Sequence, residues 1–389
     1  MHDPYGGGEE TGTADPRDRV VLVGIDKQML ASPTEVTSER LRSYQEEMAR
    51  SLHVDGPCAD GPSRPGCWPT ASPRRRLTDM PAPRRLLPLT ASFGLPAAFL
   101  AAAVVSSART FHRLGRLPSG LPELPGERRS ATFDGGVVSF RFHAGQDPDL
   151  EPIVLLHGWG SSGDASFFSV IPGLRAPVLV PDLPGHGDSV TTEPFSFELA
   201  ARALLAAVDA VGMERPHVVA HSMGGPVALA ALRERPEAFS RLTAVATALH
   251  WQSPRMSPFL LGAPLLMSPV SPIAMRKLKN RIQAVPAYTE AFLWAWRNRP
   301  AVSTLREAAG CLHRFDARKW DLHLPPTRWV VPADDYMVMP SRQRRAGRLL
   351  GAEVHEVPGA GHSFFLTDPD ALLEIIELPS PVPAAKRRR

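Results

Sequence analysis

Apolar positions along this chain follow two periodicities. Ile153-Val154-Leu155-Leu156, Val178-Leu179-Val180 and Leu242 to Ala248 are short continuous apolar runs, and Val218-Val219 sits in a similar β-branched stretch. Runs of this kind are what strands buried on both faces of a parallel sheet require. Between them, Phe197 to Val211 carries Ala and Leu at helical spacing. Glu353 to Val357 predicts a late strand, and Pro369 to Glu377 predicts the helix after it. Ser130 to His143 alternates instead: strand, Asp134-Gly135-Gly136 turn, strand, with Val138, Phe140 and Phe142 on one face. A hairpin followed by alternating strands and helices predicts an α/β fold, a doubly wound and mostly parallel sheet.

The first hundred residues follow neither pattern. Ser32-Pro33-Thr34-Glu35 reads as a capping box, and Leu41, Tyr44, Met48 and Leu52 continue it at helical spacing. One helix is therefore expected inside residues 1–83, an extension otherwise read as disordered because 54–83 is dense in Pro, Gly, Ser and Arg. Met80 opens a segment that reads as a natural beginning; a mature N-terminus upstream of it would defeat that reading. Leu86 to Ala108 has no charged residue and follows Arg84 and Arg85, and it is long enough to cross a bilayer. The distribution of arginines around it predicts membrane association with the N-terminus cytoplasmic and the rest exported. Ser106-Ser107-Ala108 ends in a small-x-small pattern, so cleavage as a signal peptide and secretion is the rival. Pro88 and Pro96 leave a third reading, a helical flap on a cytoplasmic protein. Residues 109–129 read as a linker and 379–389 as a disordered basic tail.

Composition narrows the function classes. The chain has 389 residues, 43% of them hydrophobic, enough for a full core. The net charge is +4, yet Arg74, Arg75, Arg76, Arg84, Arg85, Lys386, Arg387, Arg388 and Arg389 carry nine positive charges in the flanks. The remainder is net acidic, which gives no reason to expect nucleic-acid binding. The three cysteines, Cys58, Cys67 and Cys311, form no C-x-x-C pair and no cluster at metal spacing. Neither a metal nor a disulfide framework is expected, although Cys58 and Cys67 share a loop-like segment in which they could pair outside a cell.

The chemistry centres on Ser222. His217 to Ala231 reads H-V-V-A-H-S-M-G-G-P-V-A-L-A-A, a strand, a sharp turn and a helix. A strand-to-helix turn exposes a serine hydroxyl and leaves main-chain N–H groups nearby for an oxyanion. The stretch resembles the nucleophile elbow of the α/β-hydrolase superfamily, G-x-S-x-G, with Ala220 at the first glycine and with Gly224 and Gly225 following. The extra methyl of Ala220 predicts slight crowding. His157-Gly158-Trp159-Gly160 and Asp182 to Ser189 follow earlier strands, in the order the superfamily uses. The resemblance covers about two thirds of the chain.

The resemblance implies roles for particular residues. The main-chain N–H groups of Trp159 and Met223 would form the oxyanion hole. His362, in the Gly-rich loop after the Glu353 strand, would be the base, and Asp335 after Trp329-Val330-Val331 would orient it, with Asp334 as the neighbouring rival. The strand after the elbow ends in Ala248-Leu249-His250, which offers no carboxylate. His157, His186, His221 and His355 read as structural, His221 because its place on the elbow should point it away from Ser222. A serine at the elbow sets aside dehalogenases and epoxide hydrolases, which use an aspartate there.

About eighty residues separate the Leu242 and Trp329 strands, and the resemblance places an inserted helical cap there, at about 250–320, within a domain spanning 130–378. Phe259, Leu260, Leu261, Leu265, Leu266, Met267 and Val270, with Phe292, Leu293, Trp294 and Trp296, make that cap apolar. Such a surface packs the cap and suits a lipophilic substrate. From Trp251 to Gly310, eight Lys and Arg residues face two acids, Glu290 and Glu307, which argues against gripping a substrate's free amine. The expectation is a serine hydrolase cleaving a small-molecule ester, lipophilic by the character of the cap, through an acyl-enzyme and without cofactor. Acyl transfer, thioester cleavage and carbon–carbon hydrolysis use the same residues, and a catalytically dead binding protein is the rival of another class, with Ala220 as its support.

Overall fold

The computed structural model describes residues 102–103, 105–110, 112–252, 262 and 271–381. The expected helix near residue 40, Cys58 and Cys67, Met80, most of the apolar segment 86–108, the stretch from Phe259 to Val270 apart from Gly262 and the basic tail from 382 onward lie outside the described residues. Within that segment and the residues after it, 102–103, 105–110 and 112–114 are helical. Among the described residues, no helix is long and apolar enough to cross a membrane.

The apolar runs become strands, and the alternating segment becomes the hairpin. The strands are β1 (Glu127–Phe133), β2 (Gly136–His143), β3 (Ile153–Leu156), β4 (Val178–Pro181), β5 (Val190–Thr191), β6 (His217–His221), β7 (Arg241–Val245), β8 (Thr327–Pro332) and β9 (Glu353–Val357). They form one sheet in the order β1-β2-β4-β3-β6-β7-β8-β9, with β5 paired to β2. β2 runs antiparallel to β1, β4 and β5. From β4 through β9 every pairing is parallel. β1 opens inside the segment read as linker. Its charged start, Glu127-Arg128-Arg129, hides the strand from a hydropathy reading, but Arg128 pairs with Arg141 across the hairpin and reaches in to Asp182.

Helices cover both faces, as double winding requires. They are α1 (Gly163–Phe167), α2 (Phe197–Ala210), α3 (Gly224–Glu234), α4 (Pro272–Ala284), α5 (Thr289–Arg297), α6 (Val302–Arg314), α7 (Pro340–Leu350) and α8 (Pro369–Glu377). Side chains alternate along each strand. On β6, Val218 enters the core shared with Leu204 of α2 and Ala228 of α3, whereas Val219 enters the opposite core with Phe167 and Ile375. Helix starts are fixed locally: Ser196 Oγ accepts from Leu199 N–H at 3.0 Å, which caps α2.

α4, α5 and α6 lie between β7 and β8 and form a helical insertion. It rests on the rest of the chain through aromatic edges: Phe168 meets Tyr288 at 5.1 Å and Phe292 at 6.0 Å between ring centroids. A bridge between His250 and Asp316 ties its two ends together.

Candidate active site

β6 delivers the chain to Ser222 in a left-handed turn. Ser222 has φ 53°, a conformation that costs a non-glycine residue on the order of 1–2 kcal/mol. The turn is held from both sides: Ser222 N–H donates to Val245 O at 2.8 Å, and Gly225 N–H donates to Ser222 O at 3.0 Å. Close approach explains the small residues. A Cβ on Gly158 would lie 3.1 Å from Ser222 Cβ, and one on Gly224 would lie 2.8 Å from Leu156 O. The methyl of Ala220 is wholly buried in the core on β6, opposite Leu156 and Ala244.

The loop after β9 brings His362 to this serine. His362 Nε2 lies 3.0 Å from Ser222 Oγ, and His362 Nδ1 lies 2.8 Å from Asp335 Oδ2. A carboxylate only accepts, so Nδ1 carries the proton and Nε2 is left to accept from the serine hydroxyl. Asp335 is itself buried and held: Oδ1 accepts from Met337 N–H at 2.7 Å and Val338 N–H at 3.0 Å. Asp334 is exposed, and its N–H donates to Ala360 O at 2.9 Å. The structure thus brings Asp335, and not its neighbour, to the histidine.

Trp159 follows Gly158 at the end of β3, and Met223 stands at the start of α3. In the turns and loops of the described residues, neither main-chain N–H donates to a main-chain carbonyl. Both flank the Ser222 turn, Met223 as the next residue and Trp159 beside Gly158, which packs on Ser222. The Trp159 ring is fixed by its Nε1–H, which donates to Leu305 O of α6 at 2.9 Å.

The other histidines divide. His157 Nδ1–H donates to Gly158 O at 2.8 Å, its Nε2 accepts from Leu183 N–H at 3.0 Å, and burial lowers its pKa to about 4. It is a neutral strut between two loops. His186 is lowered to about 3, mainly by burial and then by nearby His157. His221 departs from expectation. Although it precedes the elbow serine on a strand, it lines the cavity that Ser222 also lines, its ring centroid is 4.9 Å from that of His362, and its Nε2–H donates to His362 O at 2.9 Å. Burial, followed by the neighbouring His362, holds its pKa well below the ordinary histidine value, so the donor is a neutral imidazole.

Gln343 escaped the sequence reading. It is fully buried on α7, and its Nε2 donates to Asp335 Oδ2 and to Val338 O, both at 2.7 Å. The available signal was helical: Gln343, Ala346 and Gly347 share the one uncharged face of an Arg-rich helix.

Ser222 and His362 open into a cavity of about 600 Å³, walled by Trp159, Leu278, Phe292 and Trp296 among others. Among the described residues, no group of three His, Cys, Asp or Glu side chains is placed to hold a metal ion. Cys311 is a free, half-buried thiol that donates to Phe195 O at 3.1 Å.

A family model described as "Alpha/beta hydrolase family" matches residues 153–375, more than half the chain. The chain belongs to that family, and the sheet order and helix placement are its fold. "Putative carbamate hydrolase RutD" of Caulobacter vibrioides is 29% identical over 273 residues, covering 63% of this chain and 95% of the relative. "Pimeloyl-[acyl-carrier protein] methyl ester esterase" of Neisseria meningitidis is 29% identical over 242 residues, 58% of this chain and 75% of the relative. Among solved structures, an esterase from Thermogutta terrifontis has a TM-score of 0.54 at 21% identity, over 64% of this chain and 97% of its own. The enol-lactonase from Burkholderia xenovorans also scores 0.54, at 16% identity, over 64% and 98%. The relatives matched by sequence are hydrolases, which places this chain among enzymes.

Proposed function

We propose that this chain is a serine hydrolase that cleaves a carboxylic ester of a small molecule through an acyl-enzyme. The observation that carries the reading is the unbroken path from Ser222 Oγ through His362 to buried Asp335, at 3.0 and 2.8 Å. Ser222 Oγ forms a bond to the ester carbonyl carbon while His362 Nε2 takes its proton. The carbonyl oxygen becomes an oxyanion, for which the N–H groups of Trp159 and Met223 are the donors. Collapse breaks the carbon–oxygen bond to the leaving alcohol, which receives the proton from His362. Water, deprotonated by the same nitrogen, then releases the acid and restores Ser222. The names of relatives, a methyl ester esterase and a carbamate hydrolase, support acyl chemistry of this kind.

The helical insertion α4 to α6 acts as a cap over the acyl site in this reading. Leu278, Phe292 and Trp296 supply an apolar wall, which favours a lipophilic group. A series of methyl esters of increasing acyl length, assayed in water and in water with a competing alcohol, tests the reading. It expects free acid as the main product in both. Transfer to the alcohol as the main reaction would make the protein an acyltransferase, and no turnover of any ester would overturn the reading.

A further inference from the structure

The cavity holding Ser222 is apolar in outline but not in charge. Lys277, Arg281 and Arg299 all line it. The one carboxylate among its described lining residues is Asp368, whose Oδ1 is engaged in capping α8 by accepting from Ala371 N–H at 3.3 Å. Lys277 and Arg281 are four residues apart on α4 and share a face. Lys277 Nζ lies 5.0 Å from the centre of the Tyr336 ring and 3.6 Å from Met337 Sδ, just past Asp335 in the chain. Arg299 lies 3.8 Å over the Trp296 ring.

Arg281 is the informative one. Among the described residues its guanidinium has neither an ion-pair partner nor a side-chain hydrogen bond. The adjoining segment, 253–270, contains no Asp or Glu to supply one. The Arg281 side chain is exposed and lines the cavity. Its charge reaches His221, the residue before Ser222, which sets it near the reacting end. A guanidinium stays protonated, and its planar fork matches a carboxylate. A second observation agrees. The buried indole N–H groups of Trp251 and Trp296, in the wall of the same cavity, have no acceptor among the described residues. Among the described lining residues the cavity carries three cationic side chains against one carboxylate.

We propose that this cavity selects esters bearing a second, ionised carboxylate, which Arg281 binds while the ester carbonyl sits at Ser222. The inference rests on the serine-esterase reading above and names its substrate class. The carboxylate arrives either on the acyl side, as in half-esters of dicarboxylic acids, or on the alcohol side, as in acyl esters of hydroxy acids.

The test measures kcat/KM on the full chain for monomethyl adipate and monomethyl suberate against methyl hexanoate and methyl octanoate, with O-hexanoyl glycolate as the alcohol-side arm. A charged substrate should be preferred over its neutral match by about tenfold or more, the scale of one charge-assisted pair. The preference should shrink with added salt, disappear in Arg281→Gln and return in part in Arg281→Lys. The wild-type comparison and its salt dependence need no variant, so a misfolded substitution does not blunt the test. Equal or better turnover of the neutral esters by wild type, or an unchanged preference in Arg281→Gln, would overturn the inference and leave the esterase standing. If wild type and Ser222→Ala are equally inert on every ester, the esterase reading fails and this inference falls with it.

Discussion

Gln343 Nε2 and His362 Nδ1 both donate to Asp335 Oδ2, at 2.7 and 2.8 Å. One carboxylate oxygen therefore serves the base and is pinned by a buried amide. Removing that amide donor leaves the carboxylate with a lost charge-assisted bond, about 1.5–3 kcal/mol. Gln343→Leu should lower kcat by about ten- to a hundredfold. Gln343→Glu should lower it further, because it sets a second carboxylate against the first. Steady-state kinetics beside thermal melts separate the effect on the site from that on the fold.

His221 holds the His362 main chain from the other side. His221→Phe keeps a ring of similar size against Phe365, at 4.9 Å between centroids, but loses the 2.9 Å bond to His362 O. The expected result is a fall in kcat of about tenfold with a stability loss near 1 kcal/mol. Unchanged kcat would show that the loop places His362 without this bond.

Gly158→Ala puts a methyl 2.9 Å from His221 Nδ1, 3.2 Å from His221 Cε1 and 3.1 Å from Ser222 Cβ. Something must move, and the neighbours are the elbow serine and the His221 ring that holds the His362 loop. Turnover should drop by about a hundredfold, because ångström-scale misplacement of a reacting group costs that much. Circular dichroism would show a fold that is otherwise retained.

Stability should fall on mild acidification. His157 and His186 are held neutral by burial, at about 4 and about 3, and His217 and His221 also lie well below the ordinary value. The unfolded chain binds protons on these groups near pH 6.5, whereas the folded chain does not. Each therefore costs about 1.4 kcal/mol per pH unit as pH drops below about 6.5, until its folded pKa is reached. The urea midpoint should fall steadily from pH 7 to pH 5. A flat profile over that range would mean these histidines are protonated in the folded state.

Local patterns carried most of the fold in the sequence. The runs at Ile153, Val178 and Glu353 became strands at those places because continuous apolar or alternating stretches leave few other ways to bury them. The elbow was legible for the same reason: Ser222 sits between a β-branched run and an Ala-rich helix, with small residues at the turn. Asp335 and His362 were legible through the resemblance of their loops to those of the superfamily, although they stand 113 and 140 positions after the serine, with 27 between them. What stayed hidden depends on contacts across the fold. Gln343 matters through an oxygen eight positions away, His221 through a carbonyl 141 positions away, and Arg128 through Asp182, 54 positions on. No local pattern encodes such partners.

The central claim is that Ser222 is the nucleophile. The most direct measurement treats the native protein with a fluorophosphonate and locates the adduct by peptide mass spectrometry. The account predicts one adduct, on Ser222, with ester turnover lost in proportion to labelling and no adduct on the His362→Ala variant over the same time. Labelling elsewhere with full activity lost, or turnover that survives complete modification of Ser222, would contradict it.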